Sequence, residues 1–334
     1  MNSQLDEINH ILSNVEPKPG LDWTKEFSMT LEEADQIANP DFIIPDLIIQ
    51  GHVVAVVAEP NGGKTTIMLH MAGEMSGNGY RVFYVNADVG GGDAKEMVRL
   101  ANEKGFELLL PDMKLGLSME DVIDNLIKMN SEGGDFSKIV FIFDTLKKMT
   151  DVINKSRAKE LYSLFRGLSG KGMTIVLLAH TNKYKDADGN PVYEGTGDLR
   201  SDIDELIYLI PQKHADGSMK VSTKPDKVRG KLEKITFSIS PDRRVVRERE
   251  FIDVAAQNRF FEQYHEDRHV IDAINRAIQS GLHKQIEIRQ FCTKEKIGDR
   301  TIRNVLKRYT DPSAYRQEWN ATHGLNNHYH YERV

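Results

Sequence analysis

The segment VVAVVA, residues 53–58, runs straight into Glu-Pro-Asn-Gly-Gly and then into Lys64-Thr65. Six consecutive apolar residues leave no polar face, so they predict a strand buried on both sides. A glycine pair just after such a strand lets the chain turn tightly and start a helix within a few residues. The stretch TTIMLHMAGEMS (65–76) then places Ile67, Met68, Met71, Ala72 and Met75 on one helical face. A two-sided buried strand feeding an amphipathic helix is the building unit of a parallel sheet covered by helices.

The unit recurs. YRVFYVNA (80–87), KIVFIFD (138–144) and MTIVLLAH (173–180) read as further buried strands. Helical segments lie between them: AKEMVRLANEK (94–104), stopped by Gly105; a helix capped by Ser118 and Asp121 and running to Met129; and AKELYSLFRGL (158–168). After residue 180 the rhythm changes. ELIYLI (205–210), SMKVST (218–223), EKITFSI (233–239) and RRVVRER (243–249) are strands joined by short connections, with turns at Asp216-Gly217 and Pro241-Asp242. The expected architecture is therefore α/β: a mostly parallel sheet with helices on both faces and an antiparallel extension.

Both ends differ from this middle. In residues 1–37, Leu5, Ile8, Ile11 and Leu12 recur at helical spacing before the linker Pro-Lys-Pro-Gly. From residue 265 onward the chain reads as a helix (270–281), a helix-turn-helix (286–310) and two strands around Gly-Leu-Asn-Asn. Ile288, Phe291, Ile297, Ile302, Val305 and Leu306 supply a shared core, and the whole suggests a small winged-helix domain at 265–334, following an ATPase-like body at 38–255.

Composition narrows the function classes. The 334 residues carry a net charge of −6, but residues 265–334 hold 12 Lys+Arg against 9 Asp+Glu. A modestly basic end on an acidic chain is compatible with a nucleic-acid contact confined to that end. A single cysteine, Cys292, excludes an intramolecular disulfide framework and a Cys-rich zinc site. His323, His328 and His330 lack the thiol or acid partners of a tetrahedral metal set. The N-terminus has no signal-peptide pattern, and no apolar run nears the ~20 residues of a membrane span, so a cytoplasmic protein with no membrane partner is expected.

The order strand, Gly-Gly turn, Lys-Thr, helix is the order of a phosphate-binding loop. Pro60, Asn61, Gly62 and Gly63 would turn backbone N–H groups toward phosphate oxygens at the positive end of the helix dipole. Lys64 would reach the β- and γ-phosphates, the Thr65 hydroxyl would take Mg²⁺, and Thr66 follows in the same turn. ATP and Mg²⁺ are the cofactors this predicts. Ala58, where the usual pattern has glycine, is the one departure. Asp144 closes the apolar run IVFIF and so stands at the carboxyl edge of the sheet, where it would be the second anchor for Mg²⁺.

With PDFIIPDLIIQGHVVAVVAEPNGGKTT, YVNAD, IVFIFDTL and IVLLAHTNK in that order, the chain resembles the RecA-like P-loop ATPases across about residues 38–249. Within them it is most similar to the RepA-type hexameric replicative DNA helicases of plasmids and phages. The resemblance implies an ATP-driven, ring-forming helicase or translocase. It implies that Asp88 activates the attacking water in place of the family's glutamate, and that His180 senses the γ-phosphate. It also implies that Lys227 and Arg229, in the spacing Lys-x-Arg, enter a neighbour's ATP site. Lys183, Tyr184, Lys185 and Arg200 would meet single-stranded DNA in a central channel, and Arg300, Arg303, Lys307 and Arg308 would meet a duplex. A primase or initiator is a further partner of such assemblies. The competing reading is an ATP-switched DNA-binding regulator with slow hydrolysis and no unwinding, suggested by the shorter Asp88 and by the winged helix.

Overall fold

The computed structural model describes residues 24–35, 41–87, 89–113, 116–149, 155–185, 191–193, 198–323 and 329–334. The chain divides into two compact units, Met1–Asp41 and Phe42–Val334. The described part of the first holds two short helices, α1 (Thr24–Phe27) and α2 (Leu31–Asp35). Thr30 and Glu33 cap α2 reciprocally: the Thr30 N–H donates to Glu33 Oε2 (2.7 Å) and the Glu33 N–H to Thr30 Oγ1 (3.2 Å). The helix expected around Leu5–Leu12 lies outside the described residues.

The second unit opens with a small antiparallel pair, β1 (Phe42–Ile44) and β2 (Ile48–Ile49), followed by β3 (Val53–Ala58), α3 (Lys64–Gly77), β4 (Arg81–Asn86) and α4 (Gly91–Lys104). Then come β5 (Glu107–Leu109), α5 (Met119–Glu132), β6 (Ile139–Asp144), α6 (Leu146–Met149) and α7 (Lys155–Ser169). The chain continues through β7 (Thr174–Lys185), β8 (Pro191–Tyr193), α8 (Asp198–Asp202), β9 (Glu205–Lys213), β10 (Met219–Lys227), β11 (Thr236–Ile239) and β12 (Val245–Arg247). It ends with α9 (Val254–Gln279), α10 (Gln285–Lys294), α11 (Asp299–Thr310) and the ribbon β13 (Trp319–His323) and β14 (Tyr329–Arg333).

The large sheet has the order β12-β11-β10-β9-β3-β7-β6-β4-β5, with β8 paired to β7. From β9 to β5 all neighbours are parallel; from β9 to β12 they are antiparallel. The alternation of side chains along β3 explains why its six residues are all apolar. Val54, Val56 and Ala58 enter one core with Ile67, Met68, Met71 and Met75 of α3. Val53, Ala55 and Val57 enter the other with Leu161, Tyr162, Phe165 and Leu168 of α7. β6 divides likewise, Val140 and Ile142 to the first core, Phe141 and Phe143 to the second. Both faces are covered, as a parallel sheet requires.

Local signals behave as their chemistry dictates. Gly105 ends α4 in the left-handed region (φ 79°), where a side chain would be strained. Ser118 and Asp121 form a capping box at α5.

Three segments differ from the sequence expectation. β7 continues past His180, where the expected strand 173–180 ends, to Lys185 and pairs with β8 as a hairpin. Its polar composition hid the strand, because backbone pairing needs no apolar side chains. β11 and β12 are shorter than the expected stretches 233–239 and 243–249, whereas β9 and β10 run on past 210 and 223. The helix expected from residue 270 begins at Val254, where the Asp253 side chain accepts from the Ala256 N–H (2.8 Å). Its first turns carry few aliphatic residues and are held by aromatic packing instead, with Phe260 and Tyr264 stacked near Tyr309. This helix therefore runs unbroken from the sheet, where Asn258 donates to Pro211 O, into the C-terminal core of Ile274, Ile288, Ile302, Leu306 and Trp319. Among the described residues, no helix is long and apolar enough to cross a membrane.

Candidate nucleotide site

Parallel register brings the chemistry to one edge. Asn86 pairs with Asp144 across β4 and β6, and Ala58 pairs with His180 across β3 and β7. Ala58, Asn86 and Asp144 end their strands beside the start of α3, and His180 lies level with them in β7, which runs on to Lys185. The turn between β3 and α3 is tight. The Gly62 N–H donates to Glu59 O (3.0 Å), Asn61 adopts φ 57° and Gly63 adopts φ 82°. Asparagine tolerates this left-handed conformation and glycine takes it freely. A methyl group on Gly62 would stand 2.9 Å from Glu59 O, and one on Gly63 would stand 2.7 Å from Ile239 Cδ1. Only glycine fits at both positions. Pro60 and Asn61 are exposed on the loop, and Thr66 lies half-buried in the first turn of α3.

Ala58 is fully buried as the last residue of β3, in the core under α3. Its methyl group is part of the packing, so the missing glycine does not disturb the loop.

Asp144 is the electrostatic centre. It is buried, and its Oδ2 accepts from the Thr65 hydroxyl (2.7 Å) and the Tyr84 hydroxyl (2.8 Å). The Lys64 ammonium, also buried, lies 3.7 Å from Oδ1. A buried lysine beside a buried carboxylate at a helix N-terminus, with a hydroxyl on the carboxylate's other oxygen, suits a Mg²⁺–nucleotide. Burial above all, and then the charge of Asp144, pushes the Tyr84 phenol well up, which keeps it a donor. Tyr84 is a site residue that the sequence pattern did not single out. Its signal was a hydroxyl inside a buried strand, two residues before Asn86, where a buried phenol needs a partner. Asp88 lies outside the described residues; Ala87 just before it donates its N–H to Asp144 O (3.3 Å).

Lys227 and Arg229 are at the other end of the sheet. β10 runs antiparallel to β9, so Met219, at its start, lies near Gly63, whereas Lys227 pairs with Leu206. Arg229 Nη1 lies 2.7 Å from Asp204 Oδ1, and Asp204 accepts the N–H of Val53, the first residue of β3 (2.9 Å). β3 spans about 17 Å at ~3.3 Å per residue, so Arg229 cannot reach the phosphate loop of its own chain. Lys227 Nζ donates to the carbonyls of Arg200 (2.5 Å) and Ser201 (3.1 Å). Burial first, then Arg229 and Arg166, hold its ammonium below the usual lysine range.

Arg200 belongs to this second cluster, paired with Asp226 (2.9 Å), and not to the β7–β8 hairpin carrying Lys183, Tyr184 and Lys185. The side chains of those three hairpin residues lie outside the described set. The basic residues of α11 also separate. Arg300, Arg303 and Lys307 are exposed, with Arg303 3.1 Å from Asp299. Arg308 is half-buried and bonded to Asp267, which also accepts from Tyr309 (2.9 Å). Arg308 therefore ties α11 to α9.

No protein-family model matches the chain. No curated protein matches it either. Among solved structures it is similar to the flagellar accessory protein FlaH from Methanocaldococcus jannaschii, at 16% identity, covering 61% of this chain and 92% of that one, with a TM-score of 0.44. It is also similar to the ATPase domain of G40P, at 14% identity, covering 69% and 99%, with a TM-score of 0.44. The strand order itself, with one strand between β3 and the Asp144 strand and an antiparallel extension beyond β9, is that of the RecA-like fold expected from the sequence.

Proposed function

We propose that this protein is an ATP-hydrolysing motor that acts on DNA as a ring of like subunits, in the replication of a plasmid, phage or other mobile element. The carrying observation is the buried Lys64–Asp144–Thr65 cluster at the phosphate loop. Gly62 and Gly63 open the backbone to the phosphates, Lys64 neutralises the terminal ones, and Thr65 and Asp144 would hold Mg²⁺. When bound, the ion would neutralise negative charge on the phosphates. Asp88 orients the attacking water and His180, beside Ala58, senses the γ-phosphate.

Distance supports an assembly. Arg229 and Lys227 lie too far from their own phosphate loop to act there, so a catalytic role requires a neighbouring copy. A cation supplied in trans is worth ~10³–10⁵ in rate, which would make hydrolysis depend on ring formation, as a hexamer in the RepA-type helicases that the sequence resembles. In this reading the β7–β8 hairpin, with Lys183, Tyr184 and Lys185, contacts the single strand, and a primase or initiator docks elsewhere. The domain division at about residue 255 is part of the same reading.

A second reading, an ATP-switched DNA-binding regulator, is favoured by the exposed basic face of α11 (Arg300, Arg303, Lys307) followed by a two-stranded ribbon. ATPase rate with and without single-stranded DNA, run beside a strand-displacement assay, separates the two, with Lys64→Ala as the inactive control. Stimulation with displacement supports the motor. ATP-dependent duplex binding without displacement replaces it with the switch, and an ATPase rate unchanged in Lys64→Ala rejects both.

A further inference from the structure

At the amino edge of the sheet, opposite the phosphate loop, a single buried carboxylate collects bonds from three separate elements. Asp204 is 3% exposed. Its Oδ2 accepts the Val53 N–H from β3 (2.9 Å) and Arg166 Nη1 from α7 (2.8 Å). Its Oδ1 accepts the same Arg166 nitrogen (2.8 Å) and takes Arg229 Nη1 at 2.7 Å. Three of these four bonds come from the packed body of the domain and fix the carboxylate in place. The fourth holds the guanidinium of an arginine whose side chain is 54% exposed.

We propose that Asp204 is a positioning residue that aims Arg229 at the ATP site of a neighbouring copy. This rests on the reading of Arg229 as a trans-acting cation. A guanidinium has five N–H donors. One bond to Asp204 leaves the others for a phosphate, while the carboxylate removes much of the side chain's rotational freedom. An arginine tethered this way meets a developing charge without first being ordered, which is the condition for strong electrostatic stabilisation. The cluster also keeps a cationic surplus. Arg166, Arg200, Lys227 and Arg229 stand against Asp204 and Asp226, so tethering does not cancel the charge needed for a triphosphate. Because Asp204 bonds the first residue of β3, and β3 ends at the phosphate loop, one strand links the arginine a subunit lends to the nucleotide it holds.

The test uses the full-length chain and ATP turnover. Asp204→Asn keeps an oxygen for the Val53 N–H but removes the charge that holds Arg229. It should lower kcat about 10- to 100-fold, the range for a misplaced catalytic group, with KM for ATP little changed. Mixing it with Lys64→Ala subunits, which carry an intact Asp204 and Arg229, should restore turnover at the mixed interfaces. A wild-type or raised kcat in Asp204→Asn overturns the proposal, as does a loss that mixing does not recover. Arg229→Ala mixed with Lys64→Ala is the companion experiment. Failure of that pair to recover rejects the trans arginine itself, whereas its recovery beside a fully active Asp204→Asn rejects only the positioning role. Should Asp204→Asn not fold, Arg166→Gln loosens the same carboxylate. The same kcat loss and recovery then supports the role, and wild-type turnover overturns it.

Discussion

Tyr84 donates its hydroxyl to the same Asp144 oxygen that accepts from Thr65, over 2.8 Å and 2.7 Å. The acid that terminates β6 is thus held from the adjacent strand β4 and from the first turn of α3. Two donors on one oxygen fix its direction and leave Oδ1 toward Lys64.

Tyr84→Phe keeps the ring volume and deletes the donor. The buried carboxylate then loses one partner, which should cost about 1–3 kcal/mol in the nucleotide-free protein. Urea unfolding without nucleotide measures it; an unchanged midpoint would show that Tyr84 does not support Asp144.

Ala58→Gly restores the glycine that phosphate loops usually carry. Its methyl group is buried in the core under α3, so the change should destabilise by about 1 kcal/mol and leave ATP affinity unchanged. Isothermal titration beside thermal unfolding checks this. Tighter ATP binding would mean that the methyl group intrudes on the site after all.

The His52 ring lies 2.9 Å from Glu205, which is fully buried. The hydrogen bond to Glu205 raises the His52 pKa above its unfolded value of about 6.5. Burial and Arg166 oppose the rise, while the charges of Glu205 and Asp204 add to it. A raised folded pKa gives stability that is fully present below the unfolded pKa and is lost as pH rises through the folded one. The stability gap between wild type and His52→Asn should therefore be larger at pH 6 than at pH 8.5. Chemical denaturation at both values measures it, and a gap that grows with pH would contradict the pairing.

In α11, neighbouring basic residues should give opposite results. Arg308→Ala strips a partner from buried Asp267 and should cost about 1.5–3 kcal/mol. Lys307→Ala, on the exposed face, should stay within about 0.5 kcal/mol and, if that face meets DNA, weaken duplex binding. Thermal unfolding and fluorescence anisotropy on duplex DNA distinguish them. Equal destabilisation by both would refute the division of roles.

The phosphate loop, Asp144 and the parallel core were legible in the sequence because each depends on local pattern. A strand buried on both faces must be apolar throughout, a left-handed turn needs glycine or asparagine, and an acid after an apolar strand lies at the sheet edge. Tyr84, Asp204 and Arg166 were not legible, because their roles come from partners far along the chain: 60 residues separate Tyr84 from Asp144 and 151 separate Val53 from Asp204. Spacing also grouped Arg200 with the hairpin lysines and Arg308 with the exposed face of α11. The fold separates them, since charged side chains have no periodicity to say which carboxylate they will meet. Sequence by itself determined that this chain builds a buried strand, a left-handed glycine turn and a helix in direct succession. Only the tertiary structure decided that Arg229 stands at the opposite end of the same sheet, because antiparallel pairing of β10 with β9 carries it away from the loop that Met219 approaches.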